Sequence, residues 1–347
     1  MQLREIRGQG RVVEAIQSAW TRGRLHHGLL FAGPPGVGKG TCAIAVARLL
    51  LCQTPLEGGE GCQRCPACQR VEGATHPDFL QLCRETKSGD KLAAEIKIQQ
   101  LRALQKQLSY QPFEGGRRVV LIKEAERLNL AAANALLKTL EEPPKGTSFI
   151  LLSDAPERLL PTIRSRCQLL RFAPLPAPIL AELLSSQRGL AETEAALIAR
   201  LAEGSLGRAA VLIDEGLLEE RVELLTGLEA DGGLRAVEGQ LRLAERLAKT
   251  SEETLRLRIQ LIRSWLRDLL CCYHGLSSEQ LIHQDLEETL RAQADQISGE
   301  LLARRLRAVD DAERQLFDRY SDRRLILENL LLYLGEGGRR RRGPLKL

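Results

Sequence analysis

Short apolar runs alternate with amphipathic helical patterns along the first half of the chain. The runs are unbroken, which favours strands that are buried on both faces of a parallel sheet. Strands are predicted at residues 29–32, 79–82, 118–122, 148–152 and 168–172. Helices are predicted within residues 4–25, 39–51, 96–108 and 129–142. Residues 1–173 therefore predict an α/β domain built on a parallel sheet.

The composition changes at a proline-rich segment, residues 174–178. No strand pattern follows it, and Leu, Ala, Glu and Arg dominate the rest of the chain. Apolar positions one helical turn apart, such as Leu255 and Ile259, indicate amphipathic helices. We therefore predict a small helical domain at 174–215 and a larger helical domain at 216–335.

The overall composition narrows the class of protein. The chain has 347 residues, 44% of them hydrophobic, and a formal net charge of +5, which fits contact with an acidic partner. No run approaches the roughly 18 apolar residues that a membrane span needs, so we expect a cytoplasmic protein without membrane contact. The basic end at 336–347 contains four consecutive arginines. It is interpreted as a solvated tail, or else as a contact with nucleic acid or an acidic partner.

A glycine-rich segment at residues 33–41 directly follows the first predicted strand. Its spacing, Gly33, four residues, Gly38 and then Lys39, matches the phosphate-loop pattern. Glycines let backbone N–H groups approach a polyphosphate, and the positive end of the next helix faces the same anion. Lys39 would reach the outer phosphates. The candidate nucleotide-binding residues of this segment are Gly33, Gly36, Gly38, Lys39, Gly40 and Thr41.

Two positions depart from the pattern of an active ATPase. The residue after the lysine, whose hydroxyl would ligate Mg²⁺, is Gly40. The strand at 118–122 is followed by Lys123, where such ATPases place an Asp that holds Mg²⁺. A cation cannot hold Mg²⁺, and Glu124 beside it then has no ion to act on; Glu126 is an alternative acid further along. The chain is therefore expected to bind ATP at most, without hydrolysing it.

Four cysteines have the spacing of a metal site. Cys52 ends a predicted helix, and Cys62, Cys65 and Cys68 form two overlapping C-x₂-C pairs after a glycine-rich segment. Four thiolates in such a module can hold one tetrahedral zinc ion, and free thiols or an iron–sulfur cluster are the alternatives. With no open coordination position, this zinc would be structural. The remaining cysteines are predicted to be small buried apolar groups: Cys42, Cys83, Cys167, Cys271 and Cys272.

Together these motifs resemble the AAA+ subunits of the bacterial DNA polymerase III clamp loader. The motifs that carry the resemblance are the cysteine module, His76-Pro77-Asp78, the segment 134–144 (NALLKTLEEPP) and Ser165-Arg166-Cys167. The resemblance is dense over residues 1–215 and weaker beyond them.

The resemblance implies a domain order. Residues 1–173, with the zinc module at 52–68, would form an AAA+, RecA-like nucleotide-binding domain. A helical lid domain at 174–215 and an all-α collar domain at 216–335 would follow, and the collar would hold the oligomer together.

The resemblance also implies partners and roles in DNA replication. Such subunits form a hetero-pentamer with tau/gamma ATPase and delta subunits, which opens the sliding clamp and sets it on primed DNA. Arg166 would reach, in trans, the ATP of a neighbouring subunit, as suits a planar fork that stays charged. A structural arginine paired with a carboxylate is the alternative. Ser153 matches the sensor position at the end of its strand.

Three departures bear on which kind of loader subunit this is: Gly40, Lys123 and Gly207, the last in place of a sensor arginine. In the family that this chain resembles, the ATPase subunits need a hydroxyl, an acid and a sensor arginine at these three positions. The loader also has one end subunit that does not hydrolyse ATP and needs none of them. We therefore expect a non-hydrolysing subunit. The alternatives are a working loader ATPase of the tau/gamma type and, remotely, a nucleoside monophosphate kinase, in which glycine also follows the lysine. Such kinases lack a helical second half.

Overall fold

The computed structural model describes residues 1–86, 93–227, 234–317 and 322–335. The basic tail predicted at 336–347 lies outside the described residues. The chain divides into two compact units, which are described separately. One comprises Met1–Ile179 with Gly204–Leu206, and the other Leu180–Glu203 with Gly207–Leu347. The predicted division of the second half into a lid and a collar stays a prediction.

The first unit is an α/β domain with five strands, as predicted. Its elements in chain order are α1 (Gly10–Thr21), β1 (Gly28–Ala32), α2 (Lys39–Leu51), α3 (Pro66–Glu72), β2 (Phe79–Leu82), α4 (Ile98–Leu108), β3 (Arg118–Ile122), α5 (Leu130–Glu141), β4 (Thr147–Ser153), α6 (Pro161–Arg164) and β5 (Gln168–Arg171). All described strand pairs are parallel, in the order β2-β3-β4-β1-β5. β1 therefore lies inside the sheet, between β4 and β5.

Alternate residues of the central strands point into two separate apolar clusters. Leu29 and Phe31 pack with α1 and α2, whereas Leu30 and Phe149 pack with α4 and α5. The strands are thus covered on both faces, which is why their sequences are continuous apolar runs rather than alternating ones. This packing fixes the carboxyl end of β1, where the phosphate loop begins, and the carboxyl end of β4 beside it.

His76-Pro77-Asp78 has a structural role in this unit. The Asp78 carboxylate is fully buried and accepts hydrogen bonds from the backbone N–H groups of Phe113 and Glu114 and from the Arg118 guanidinium. Arg118 also donates to backbone carbonyls of the last turn of α4 and of the segment between α4 and β3. Because each buried charge is paired and hydrogen-bonded, the ion pair holds that segment against the edge of the sheet.

The remaining elements are helices: α7 (Ala177–Arg188), α8 (Glu192–Leu201), α9 (Leu206–Asp214), α10 (Leu217–Gly227), α11 (Leu234–Ala248), α12 (Glu252–Tyr273), α13 (Glu287–Ala294), α14 (Gly299–Leu316) and α15 (Arg323–Gly335). An apolar cluster formed by α10 to α15 is the core of the second unit. None of the described helices is long and apolar enough to cross a membrane.

A buried polar network lies within the second unit. His283 is fully buried, with its Nε2 2.8 Å from the Ser264 hydroxyl and its ring edge-on to Trp265. The buried Asp268 carboxylate accepts the backbone N–H groups of Ile282 and His283, both at 2.8 Å. Desolvation, reinforced by the nearby Arg221 guanidinium, lowers the pKa of His283 to about 3. His283 is therefore neutral in the folded protein at neutral pH.

Candidate nucleotide and metal sites

The phosphate loop between β1 and α2 has the backbone that its glycines predict. Gly36 (φ 74°) and Gly38 (φ 99°) adopt left-handed conformations that side chains disfavour. A Cβ added to Gly33 would lie 2.2 Å from the Phe172 carbonyl oxygen. The loop leads into the N-terminus of α2 at Lys39. This arrangement is the anion cradle of a phosphate loop.

Lys39 is nearly buried, with 6% of its surface exposed, and its ammonium group has three partners. Nζ donates to the carbonyl oxygens of Gly33 (2.6 Å) and Pro34 (2.5 Å) within the loop. It also lies 2.7 Å from the carboxylate of Asp154, whose side chain is 41% exposed. Asp154 was not predicted from the sequence, because it lies far along the chain and meets Lys39 only in the folded sheet.

Ser153, predicted as a sensor residue, ends β4 beside the phosphate loop. Its backbone carbonyl accepts the N–H group of Gly33 at 3.2 Å. Its hydroxyl is buried and accepts the N–H group of Ala155 at 3.2 Å. Ser153 thus ends its strand, with its hydroxyl shaping the turn that carries Asp154, and its role as a sensor stays a prediction.

The two residues after the lysine are in the first turn of α2. Thr41 is exposed. Around Gly40, no described atom lies within 4 Å of the place that a Cβ would take. Packing therefore leaves room for a serine or threonine at Gly40, and the missing hydroxyl is a property of the sequence rather than a steric requirement.

The acidic motif after β3 is occupied by an ion pair that the sequence did not reveal. Glu124 has a left-handed backbone (φ 51°), which is uncommon for a residue with a side chain. Its carboxylate accepts two hydrogen bonds from Arg84, at 2.7 Å from Nε and 2.6 Å from Nη2. Lys123 is exposed, and Glu126 lies in a short 3₁₀ turn beyond the strand. The bidentate fork of Arg84 holds Glu124 in place.

Arg166 lies between α6 and β5 and is partly exposed. Its Nη2 is 2.5 Å from the carboxylate of Glu141, at the end of α5. Its Nη1 donates to the Thr162 carbonyl oxygen at 3.0 Å. The guanidinium is thus paired within its own chain, and about a third of the side chain (35%) remains exposed.

Two further side chains hold the phosphate loop and were not identified from the sequence. The buried Gln9 amide donates to the carbonyl oxygens of Val37 (3.2 Å) and Ala173 (2.7 Å). The Ser205 hydroxyl donates to the Pro35 carbonyl oxygen at 2.9 Å. The sequence signal for Ser205 is its place two positions before Gly207, where a sensor arginine is expected, and the signal for Gln9 is the turn that its neighbours Gly8 and Gly10 favour.

The four predicted cysteine ligands converge. The Sγ atoms of Cys52, Cys62, Cys65 and Cys68 all lie within 4.8 Å of one another. The Cys52–Cys65 and Cys62–Cys68 Sγ distances are 3.9 Å and 4.0 Å. Tetrahedral zinc with Zn–S bonds of about 2.3 Å requires S–S distances of about 3.8 Å, so the donor set fits a zinc ion.

Local hydrogen bonds prepare this cluster for a cation. Backbone N–H groups donate to the sulfurs of Cys52 and Cys62 at 3.3 Å and of Cys65 at 3.5 Å. Such bonds favour thiolates. A hydrogen bond from Thr54, with further backbone donors, lowers the pKa of Cys62 to about 6. Burial raises the pKa of Cys68, a cost that a bound cation would offset.

The cysteine module is attached to the sheet domain by the buried charges of Glu60 and Arg48. Glu60 is 4% exposed and accepts the N–H groups of Leu3 (2.8 Å) and Arg4 (2.9 Å). Arg48 of α2 pairs with Glu72 of α3. The module therefore braces the N-terminal segment and α2.

The prediction for the other five cysteines is correct only in part. Cys42 and Cys167 are buried, and burial raises the pKa of their thiols to about 12 and about 11. Cys83 is exposed, and Cys271 and Cys272 are half-buried. Cys83 follows the end of β2, on the edge strand of the sheet, where nothing in its sequence neighbourhood distinguishes it from a core position.

The strand order, the phosphate loop after β1 and the helical second half define a protein of the AAA+ class. A family model described as DNA polymerase III, delta subunit, matches residues 8–176, and one described as DNA polymerase III, delta subunit, C terminal, matches residues 215–336. The DNA polymerase III subunit delta′ of Escherichia coli (strain K12) is 32% identical over 323 residues, which cover 92% of each chain. The chain belongs to the DNA polymerase III delta′ family.

Two other similarities are less extensive or more distant. The DNA polymerase III subunit tau of Escherichia coli (strain K12) is 34% identical over 218 residues, which cover 61% of this chain and 32% of tau. The crystal structure of a DNA polymerase III gamma subunit-related protein from Thermotoga maritima has a TM-score of 0.42 and 18% identity. That alignment covers 95% of this chain and 99% of the other.

Proposed function

We propose that this chain is the non-hydrolysing delta′ subunit of a DNA polymerase III clamp loader. It assembles with tau/gamma ATPase and delta subunits into a hetero-pentamer in the cytoplasm. The complex opens the sliding clamp and loads it on primed DNA. Family matches over both halves of the chain support this proposal, as does a delta′ relative that aligns over 92% of its length.

The single observation that carries the non-hydrolysing role is the state of the acidic motif. Lys123 stands where Mg²⁺ would need a carboxylate, and Glu124 is engaged by both nitrogens of the Arg84 fork. A glutamate held in this way cannot also orient a water molecule for attack on ATP. A working ATPase of the tau/gamma type is less supported, because the tau relative aligns over only 61% of this chain.

Arg166 is proposed to serve the ATP site of a neighbouring subunit. A guanidinium stays charged and can neutralise phosphate oxygens through two parallel hydrogen bonds. Its present partner, Glu141, is 47% exposed, so the ion pair is screened by water and is easily exchanged for a phosphate. Glu141 would hold the guanidinium ready until the neighbour binds ATP.

The cysteine cluster is proposed to hold one structural zinc ion. Four converging sulfurs fill a tetrahedral shell, which leaves no position for a water nucleophile. The ion would cross-link the end of α2 to the start of α3. Free thiols and an iron–sulfur cluster are the alternatives that metal analysis would distinguish.

The test is reconstitution of the loader with wild-type or variant chain. The wild-type chain should co-purify with tau/gamma and delta. Arg166→Ala should still assemble, because one partly exposed arginine contributes little to a large interface. DNA-stimulated ATP hydrolysis should fall, since an arginine acting in trans is worth roughly 10³- to 10⁵-fold at the one site that it serves. The total rate should fall less, because the other sites keep their own arginines.

Two variants control this experiment. Arg164→Ala removes an exposed arginine two positions away and should leave hydrolysis unchanged. Arg166→Lys should not restore activity, because an ammonium group lacks the planar fork. Unchanged hydrolysis and clamp loading with Arg166→Ala in an intact complex would make Arg166 structural. Failure of the wild-type chain to co-purify would overturn the clamp-loader role.

A further inference from the structure

The ammonium group of Lys39 has no donor left for a nucleotide. It carries three N–H bonds. Two of them are directed at the carbonyl oxygens of Gly33 and Pro34, and the third partner is Asp154. The two carbonyl contacts fold the side chain back over the loop that it belongs to. The Asp154 contact supplies an anion.

The Asp154 carboxylate contacts the atom of Lys39 that a phosphate group would contact. In a phosphate loop, the lysine is the residue that reaches the outer phosphates of the nucleotide. Here a carboxylate of the same chain lies 2.7 Å from Nζ. A polyphosphate that approached Lys39 would have to replace this carboxylate, and until it did so the two anions would repel each other.

The fold holds Asp154 at this place. Ser153 pairs with Ala32 at the end of β1, so the residue after Ser153 emerges beside the first residues of the phosphate loop. The hydrogen bond from the Ala155 N–H group to the Ser153 hydroxyl turns the chain at that point. Asp154 is nevertheless 41% exposed, so it can leave Lys39 without disturbing the core.

We propose that Asp154 is a built-in competitor of polyphosphates at the phosphate loop. Its carboxylate neutralises Lys39 in the nucleotide-free protein and lowers the affinity of the site for any ligand with adjacent phosphate groups. The reduction in affinity depends on the phosphate groups of the ligand and not on the base or sugar of a nucleotide. This inference rests on the contacts of Lys39 and the placement of Asp154, and it does not depend on the proposed function.

The experiment is calorimetric titration of the isolated full-length chain with ATP and, separately, with tripolyphosphate. Asp154→Asn keeps the size of the side chain and removes its charge. It should bind both ligands about five- to tenfold more tightly than the wild type, as expected for the loss of a partly exposed ion pair and of one repulsion. Adenosine should show no difference between the two proteins, because it carries no phosphate.

Two further variants make the test specific. Glu157→Gln removes an exposed charge three positions away and should bind like the wild type. Adding Lys39→Ala to Asp154→Asn should abolish the gain, since the competition is for Lys39. Equal affinities of wild type and Asp154→Asn, or no measurable binding by Asp154→Asn, would overturn the proposal, as would a gain that survives Lys39→Ala. Thermal melting of each variant verifies folding, and loader assembly is a separate readout for the proposed function.

Discussion

The cysteine module and the phosphate loop are both short motifs with a fixed spacing, and both adopt the backbone that their spacing predicts. They differ in what their functional atoms contact. The four sulfurs of the module face one another at 3.9–4.0 Å in two cross pairs, with backbone N–H groups behind them. Three charged groups of the predicted nucleotide sites, in contrast, each face an opposite charge from elsewhere in the chain: Lys39 with Asp154, Glu124 with Arg84, and Arg166 with Glu141.

This difference separates the shape of a site from its availability. Four converging sulfurs with backbone donors to them offer a cation a ready set of ligands. A lysine or glutamate that already has a counter-ion is satisfied within the chain. A motif determines where backbone atoms go, because its glycines and turns act locally. Availability depends on distant residues that the fold brings in. The cysteine module should therefore behave as a binding site at once, and the phosphate loop only after an exchange of partners.

The largest expected effect is the loss of one ligand from the cysteine module. Cys65→Ser should reduce bound zinc from one ion per chain to near zero, because serine is a poor ligand for zinc beside three thiolates. The melting temperature should fall by several degrees, since the binding energy of a structural metal is part of the folding energy. Metal analysis and thermal unfolding measure the two effects.

Cys83→Ser is the matched control, because Cys83 is exposed and outside the cluster. It should change neither quantity. If the wild-type chain contains no zinc after purification without chelator, the cysteine module is not a zinc site, and the two motifs do not differ in the way described.

A smaller effect is expected when the pH is lowered. Acid should release the zinc and lower the free energy of unfolding through different groups, so the two events can be separated. Protons compete with zinc for thiolates, so the metal should leave as the pH falls. The fold has its own acid sensitivity through His283, whose pKa falls from an ordinary 6.5 to about 3 on folding. Between these values the unfolded chain binds the extra proton. The contribution of His283 to the free energy of unfolding is therefore fully present above about pH 6.5. It declines below that pH by at most about 1.4 kcal/mol per pH unit.

His283→Gln should flatten the dependence of unfolding free energy on pH between about 6.5 and 3, whatever its effect at pH 7. Denaturant unfolding at a series of pH values measures the slope. His274→Gln, which changes an exposed histidine, should keep the wild-type slope. An unaltered slope in His283→Gln would mean that other groups dominate acid unfolding. Zinc release followed with a metal-sensitive dye should have the same midpoint in both variants.

The smallest expected effect is none at all. The isolated chain should hydrolyse Mg²⁺-ATP no faster than buffer, and Lys39→Ala should not change that result, because Lys123 and Glu124 leave no site for a hydrolytic metal and water. Phosphate release assays measure it. Hydrolysis by the wild-type chain that Lys39→Ala abolishes would contradict the prediction and make the phosphate loop an available site after all.

Much of the fold follows from the sequence, because its signals are local. The five strands were predicted with ends that differ by at most one residue from those observed. β4, for example, spans Thr147–Ser153 against a predicted 148–152. Buried parallel strands read as apolar runs, and the metal ligands were recoverable because all four lie within 17 residues of one another, from Cys52 to Cys68.

The counter-ions were not recoverable. Arg84 and Glu124 are 40 residues apart, and Asp154 meets Lys39 only because β4 and β1 are neighbours in the sheet. No periodicity or spacing marks such residues. Arg166 and Glu141 both lie in motifs that were recognised, yet their contact was not foreseen, since each motif suggests a role without indicating its partner.

The Arg84–Glu124 ion pair also bears on how this chain could change during evolution. Replacing Lys123 with an aspartate would supply a ligand for a divalent cation, but Glu124 would remain bound to Arg84. Removing Arg84 first would leave a half-buried glutamate, with a left-handed backbone, without its counter-ion. Each single step toward a hydrolytic site therefore yields no activity or lowers stability. A hydrolytic site at this edge of the sheet would therefore need changes at Lys123 and Arg84 together.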